Sequence, residues 1–227
     1  MKLVINMRNI LLTGSSSGLG IVLAKMLLEE GNNVILHYFN NKNEVEELHN
    51  LYPNTSILYK CDIRSEAEVH KMYEDLKDKN IDCLINNAAI DNNTPLEDKT
   101  VESFINVYKT NLIGPFLLIK YFGNDINAKD GSIVNISSDD TIDSYDEVTI
   151  EYDCSKASLN LLTKIFAKKY PKAHINAICF GWLDTKMNNI DEDIKKFIDF
   201  IPLDRASKEI INLINTTETG SIKVISK

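Results

Sequence analysis

Short apolar runs rich in β-branched residues alternate along this chain with longer segments whose apolar positions recur at helical spacing. The runs Asn9–Thr13, Asn33–Phe39, Ser56–Lys60, Ile81–Asn86, Ser132–Ser137, His174–Cys179 and Ser221–Ser226 predict strands. Several are nearly continuous in hydrophobic residues, as strands covered on both faces must be. Between them, helices are predicted over 18–30, 42–51, 65–78, 100–124, 152–170 and 206–214. Gly31 and Pro171 stand where the first and fifth of these stop. Regular β-α-β-α alternation predicts a doubly wound parallel sheet of about seven strands with helices on both faces. With no repeat, low-complexity tract or linker, residues 1–227 read as a single domain.

Composition narrows the class. A net charge of −8 and a pI near 5.1 argue against nucleic-acid binding. No apolar stretch approaches the ~18 residues of a membrane span, and Met1–Arg8 lacks the core of a signal peptide, so a cytoplasmic protein is expected. Cys61, Cys83, Cys154 and Cys179 are too scattered for metal or redox chemistry, and three fall in or beside strand-like runs. His37, His49, His70 and His174 form no ligand pattern, so no metal is expected.

The chemistry begins where the first strand meets the first helix. Thr13-Gly14-Ser15-Ser16-Ser17-Gly18-Leu19-Gly20 joins the strand to the helix, and glycines there permit a tight turn and close approach of backbone N–H groups to a pyrophosphate. Serines 15–17 are candidate hydroxyl donors. The glycine spacing, Gly-x-x-x-Gly-x-Gly, differs from the commoner Gly-x-Gly-x-x-Gly and resembles the cofactor loop of classical short-chain dehydrogenases/reductases. Further family motifs follow in order. Asn86-Asn87-Ala88-Ala89 resembles the family's Asn-Asn-Ala-Gly, with Ala89 in place of glycine. Asp62 matches the acid that contacts the adenine amino group, and Asn111 the tetrad asparagine. The resemblance covers nearly the whole chain and implies a Rossmann-type domain that binds NAD or NADP.

Tyr152-Asp153-Cys154-Ser155-Lys156 resembles the family's Tyr-x-x-x-Lys. Positions i and i+4 share a helix face, and an ammonium beside a phenol favours the phenolate, lowering its pKa toward usable acid–base range. The motif alone proves little. Tyr38/Lys42 and Tyr73/Lys77 have the same spacing, and chance at this composition supplies about one such pair. Only Tyr152 opens a helix soon after a strand ending in Ser137-Ser138, and Ser138 aligns with the family's catalytic serine. The resemblance then implies hydride transfer between nicotinamide C4 and a carbonyl or carbinol carbon. Tyr152 moves the proton, Ser138 donates a hydrogen bond to the substrate oxygen, Lys156 holds the nicotinamide ribose, and Asn111 keeps a relay water. The expected cofactor contacts are Thr13, Gly14, Ser16, Ser17, Gly18, Leu19, Gly20, Tyr38, Asp62, Ile63, Asn87, Ala88, Ala89, Tyr152, Lys156, Gly181 and Thr185.

The chain also departs from the family. Phe180-Gly181 replaces the usual Pro-Gly, and the C-terminal helix and strand are compressed, which puts the usual subunit contact in doubt although a homo-oligomer, dimer or tetramer, remains the expectation. Seven acids (Asp139, Asp140, Asp143, Asp146, Glu147, Glu151 and Asp153) read as a solvated loop at the pocket mouth. The second strand ends in His37-Tyr38-Phe39-Asn40-Asn41-Lys42 with no acid to repel a 2′-phosphate. Phe39 stands where NADP-preferring relatives often have arginine, Ser17 is not basic, and Lys42 either reaches a phosphate or starts a solvated helix, so NADP is preferred only slightly over NAD. A small carbonyl or alcohol is the expected substrate. A 3-oxoacyl-carrier-protein reductase is one candidate, with Lys129, Lys168, Lys169 and Lys172 as a landing patch for the carrier and the acidic loop arguing against it. The alternative is a cofactor-binding sensor or scaffold without turnover.

Overall fold

The computed structural model describes residues 7–143, 146–185 and 192–226. Its strands are β1 (Asn9–Leu12), β2 (Asn33–Tyr38), β3 (Ser56–Lys60), β4 (Cys83–Asn86), β5 (Ser132–Ser138), β6 (His174–Phe180) and β7 (Ile222–Ile225). All pair in parallel, in the order β3-β2-β1-β4-β5-β6-β7. The long helices are α1 (Gly18–Glu29), α2 (Asn43–Leu51), α3 (Glu66–Leu76), α4 (Val101–Tyr108), α5 (Gly114–Ala128), α7 (Ile150–Lys169) and α9 (Leu203–Ile214), with single turns α6 (Asp140–Asp143) and α8 (Glu192–Lys195).

The unbroken apolar runs divide by parity. Ile10, Leu12, Val34, Leu36, Cys83 and Ile85 enter one core with α1, α2 and α9, while Leu11, Ile35 and Leu84 enter the other with α3 and α5. Successive strand side chains point to opposite faces, so a strand buried on both needs apolar residues at every position. Strand order reverses at β1, between β2 and β4. A crevice therefore opens at the carboxyl ends of these strands, where ligands of such sheets bind.

Two boundaries differ usefully from those predicted. The single helix predicted over 100–124 is α4, a π-helical turn at Lys109–Ile113, and α5. Pro115 lacks the N–H that would bond the Asn111 carbonyl in an α-helix, so the backbone widens there. The helix predicted from Tyr152 begins at Ile150, after a 3₁₀ turn capped by Asp146, whose carboxylate accepts from the Val148 N–H (2.9 Å). Among the described residues no helix is long and apolar enough to cross a membrane.

Candidate active site

A cavity of about 1120 Å³ runs along the carboxyl edge of the sheet. One end is the turn between β1 and α1. Gly14 has φ +66°, and a Cβ on it would meet the Ala88 backbone at 2.9 Å. Gly20 packs against the Gly14 carbonyl, with no room for a side chain. Helix α1 starts at Ser17 with no side-chain cap and no acid in its first turn, so its N-terminal N–H groups face the cavity unneutralised. This is the donor set a pyrophosphate requires.

Side chains behind the turn hold it in place. Thr13, 1% exposed, accepts from the backbone N–H groups of Asn87 (3.0 Å) and Ala88 (3.1 Å). Asn87 Nδ2 donates to the carbonyls of Thr13 (2.9 Å) and Gly14 (3.1 Å). Ser15 is fully buried and donates to the Leu12 carbonyl at 2.7 Å, which removes it from the expected serine donors and leaves Ser16 and Ser17. His37 Nδ1 accepts from the Gly14 N–H (3.1 Å), while Nε2 lies 2.9 Å from the Cys61 carbonyl. Burial pushes the His37 imidazole down to about 4, so it is neutral, as an Nδ1 acceptor must be.

Of the expected cofactor contacts, Thr13 and Tyr38 do not line the cavity. Thr13 lies behind the loop, and Tyr38 packs into the α1 side of the core because strand alternation turns His37 and Phe39 toward the opening instead. Gly14, Ser16, Ser17, Gly18, Leu19, Gly20, Asp62, Ile63, Asn87, Ala88, Ala89, Tyr152, Lys156, Gly181 and Thr185 all line it. Lys42 does not; it is paired with Glu46 at 2.6 Å on the surface. The cation at this end is Arg64, which sequence reasoning passed over. Its guanidinium lies 5.2 Å from the Phe39 ring centroid and grips Asp62 through Nε and Nη2, both at 2.8 Å. Those bonds hold the Asp62 carboxyl below its ordinary value.

At the other end Ser138, Tyr152 and Lys156 come together. Lys156 is 3% exposed, its Nζ donating to the Ile136 carbonyl (2.8 Å) and lying 5.3 Å from the Tyr152 ring centroid. Burial pushes the ammonium down to about 8. The expected depression of the Tyr152 phenol is not what the surrounding groups produce. Burial, then the charges of Asp91, Asp140 and Asp153, push it above its ordinary value, and a hydrogen bond with Ser138 offsets only part. Asn111 does not line the cavity. From the π turn its Oδ1 accepts from the Ile90 N–H (2.9 Å), and its Nδ2 donates to the Ile90 carbonyl (2.9 Å) and Ser155 (3.1 Å).

The acidic run is not one solvated loop. Asp146 and Glu147 are exposed, but Glu151 is fully buried and pairs with Lys99 at 2.6 Å. Burial raises Glu151, yet the bonds from Lys99 and Asn92 outweigh it and leave the carboxyl below its ordinary value. Asp153 accepts from Thr149 (3.0 Å), and burial pushes it up to about 6. Asp140 accepts from Ser138 at 2.8 Å. The side chain of Asp143 lies outside the described residues.

The short-chain dehydrogenase family profile matches residues 8–195. This chain belongs to that family. It is an NAD(P)-dependent oxidoreductase, and the glycine turn, open helix N-terminus and long cavity fit the dinucleotide. A short-chain dehydrogenase from Aquifex aeolicus, a 3-oxoacyl-[acyl-carrier-protein] reductase, is 30% identical over 217 residues, covering 90% of this chain and 87% of the relative. The NADP-bound structure of ElxO superposes with a TM-score of 0.86 at 25% identity, covering 96% of this chain and 97% of that one. A 3-ketoacyl-(acyl-carrier-protein) reductase from Brucella melitensis, complexed with NADH, shares the fold with a TM-score of 0.85 at 19% identity, covering 96% of each chain.

Proposed function

We propose that this enzyme reduces small carbonyl compounds, or oxidises the matching secondary alcohols, with NADP(H) preferred. The observation that carries the reading is the convergence of Ser138, Tyr152 and Lys156 on one cavity with the β1–α1 glycine turn. A nicotinamide held in this cavity would supply the hydride in reduction and take it up in oxidation. Tyr152 exchanges a proton with the substrate oxygen, and Ser138 donates a hydrogen bond where charge develops on that oxygen. Lys156, held by the Ile136 carbonyl under the Tyr152 ring, would hold the nicotinamide ribose and opposes the field of the nearby carboxylates. Asn111 fixes Ile90 in the cavity wall and steadies Ser155, one residue before Lys156.

The coenzyme preference rests on the adenosine end. No acid closes β2, Phe39, Asn40 and Asn41 line the wall, and Arg64 presents a guanidinium whose partner Asp62 is already occupied. An acidic acyl carrier is a poor substrate carrier here. Lys129 follows α5, Lys168 and Lys169 end α7, and Lys172 precedes β6, so all four lie toward the amino ends of β5 and β6, and none lines the cavity. The four free cysteines, three of them buried, suit the cytoplasm. Ile113, Phe116, Leu161 and Ile165 are exposed on α5, α7 and the π turn, a face suited to a second copy of the chain. The test follows reduced-cofactor absorbance with NADPH and NADH against a panel of ketones. Turnover with NADPH that Tyr152→Phe abolishes is expected. Cofactor binding without turnover of any ketone or alcohol overturns the reading.

A further inference from the structure

Ser138 has one hydroxyl proton, for which Asp140 competes with the Tyr152 oxygen. Its Oγ lies 2.8 Å from Asp140 Oδ2, as donor, and accepts the Asp140 backbone N–H at 3.3 Å. A carboxylate can only accept, so while this bond stands the proton points away from the place where a substrate oxygen meets Ser138 and Tyr152. A simple ketone cannot release it. Its carbonyl offers no donor to Asp140, and breaking the bond leaves a partly buried carboxylate short of a partner. A ketone bearing a hydroxyl or ammonium group on the adjacent carbon can do both at once. Its donor takes over Asp140, and the freed Ser138 proton turns to the carbonyl oxygen.

The rest of this wall has the same character. Asp91 and Asp139 line it, each with its carboxyl pushed up by burial, and Asp146 stands at the mouth. Among the described lining residues the cations are Arg64 at the adenosine end and Lys156 beneath Tyr152, so no basic side chain awaits a substrate carboxylate there. We propose that Asp140 is a specificity residue that selects ketones carrying a hydrogen-bond donor on the carbon next to the carbonyl, by exchanging its bond to Ser138 for one to the substrate. This rests on the oxidoreductase reading above and names its substrate class.

The test compares 2-hydroxycyclohexanone with 2-methoxycyclohexanone, which differ in the donor, and 3-hydroxy-2-butanone with 3-methoxy-2-butanone, in the full-length protein. A hydrogen bond to a charged acceptor corresponds to roughly ten- to a hundredfold in kcat/KM. The wild type is expected to favour each hydroxyketone by at least tenfold. Asp140→Ala is expected to bring each ratio within about twofold of unity, chiefly by freeing the Ser138 proton and raising turnover of the methoxyketone. Asp140→Asn, which can still accept, is expected to keep part of the preference. Unchanged NADPH affinity and circular dichroism establish that the variants fold. If Asp140→Ala unfolds, Asp140→Asn and the wild-type ratios decide. Turnover of all four ketones without a wild-type preference, or a preference that survives Asp140→Ala, overturns this proposal and leaves the oxidoreductase reading standing. Cofactor binding with turnover of none overturns both.

Discussion

At its phosphate end the cavity offers backbone: glycines, the open N-terminus of α1, and a neutral His37 that receives the Gly14 N–H. Around Tyr152 it offers side chains, among them the acids Asp91, Asp139, Asp140 and Asp146. The difference teaches how one crevice can bind a polyanion and still exclude anionic substrates. Amide dipoles act within a turn or so of the helix end, while the carboxylates of Asp91, Asp140 and Asp153 act around the reacting phenol. Burial and then their field raise the Tyr152 phenol, and in the proposed mechanism Lys156 is the cation that opposes them.

The largest break in this comparison comes from the reacting group itself. Tyr152→Phe should lower kcat by about a thousandfold while leaving NADPH affinity within a few-fold, by steady-state kinetics and fluorescence titration. Equal losses in both would place Tyr152 with the cofactor and not with the proton. Next is the clamp beneath the acidic wall. Lys99→Met leaves Glu151 buried without its counter-ion, with only the bond from Asn92, and should cost about 3–5 kcal/mol in urea unfolding, far more than a surface pair would.

His37 probes the other end through pH. Its folded value, about 4, lies below the unfolded 6.5, so the unfolded chain takes the proton first. Its contribution is complete above about pH 6.5 and is lost as pH falls toward 4, up to about 3 kcal/mol. Wild type should therefore lose more stability than His37→Gln between pH 7 and 4.5; parallel curves would remove the neutral-histidine prop. The smallest effect concerns the coenzyme. Arg64→Ala should raise the KM for NADPH roughly fivefold and that for NADH less, the size of one partly exposed charge contact. Equal changes would assign Arg64 to holding Asp62 alone.

The glycine spacing, the order of motifs and the apolar periodicity were legible from the chain because each depends on neighbours in sequence. They determined the family, the parallel sheet and the positions of Ser138, Tyr152 and Lys156. Tyr38 shows the limit. Its number placed it beside the cofactor, but the side to which it points depends on which core its strand face meets. Arg64 and Lys42 show it again. Both are cations near β2, and only packing against Phe39 brings one of them to the cavity while Glu46 keeps the other on the surface. The acidic run from Asp139 to Asp153 reads as uniform charge. Tertiary structure alone made one member a buried ion-pair partner of Lys99 and another the acceptor for Ser138, because burial and pairing decide what a carboxylate does. The sequence by itself determined that a dinucleotide oxidoreductase folds here. Which charges face its substrate was decided in three dimensions.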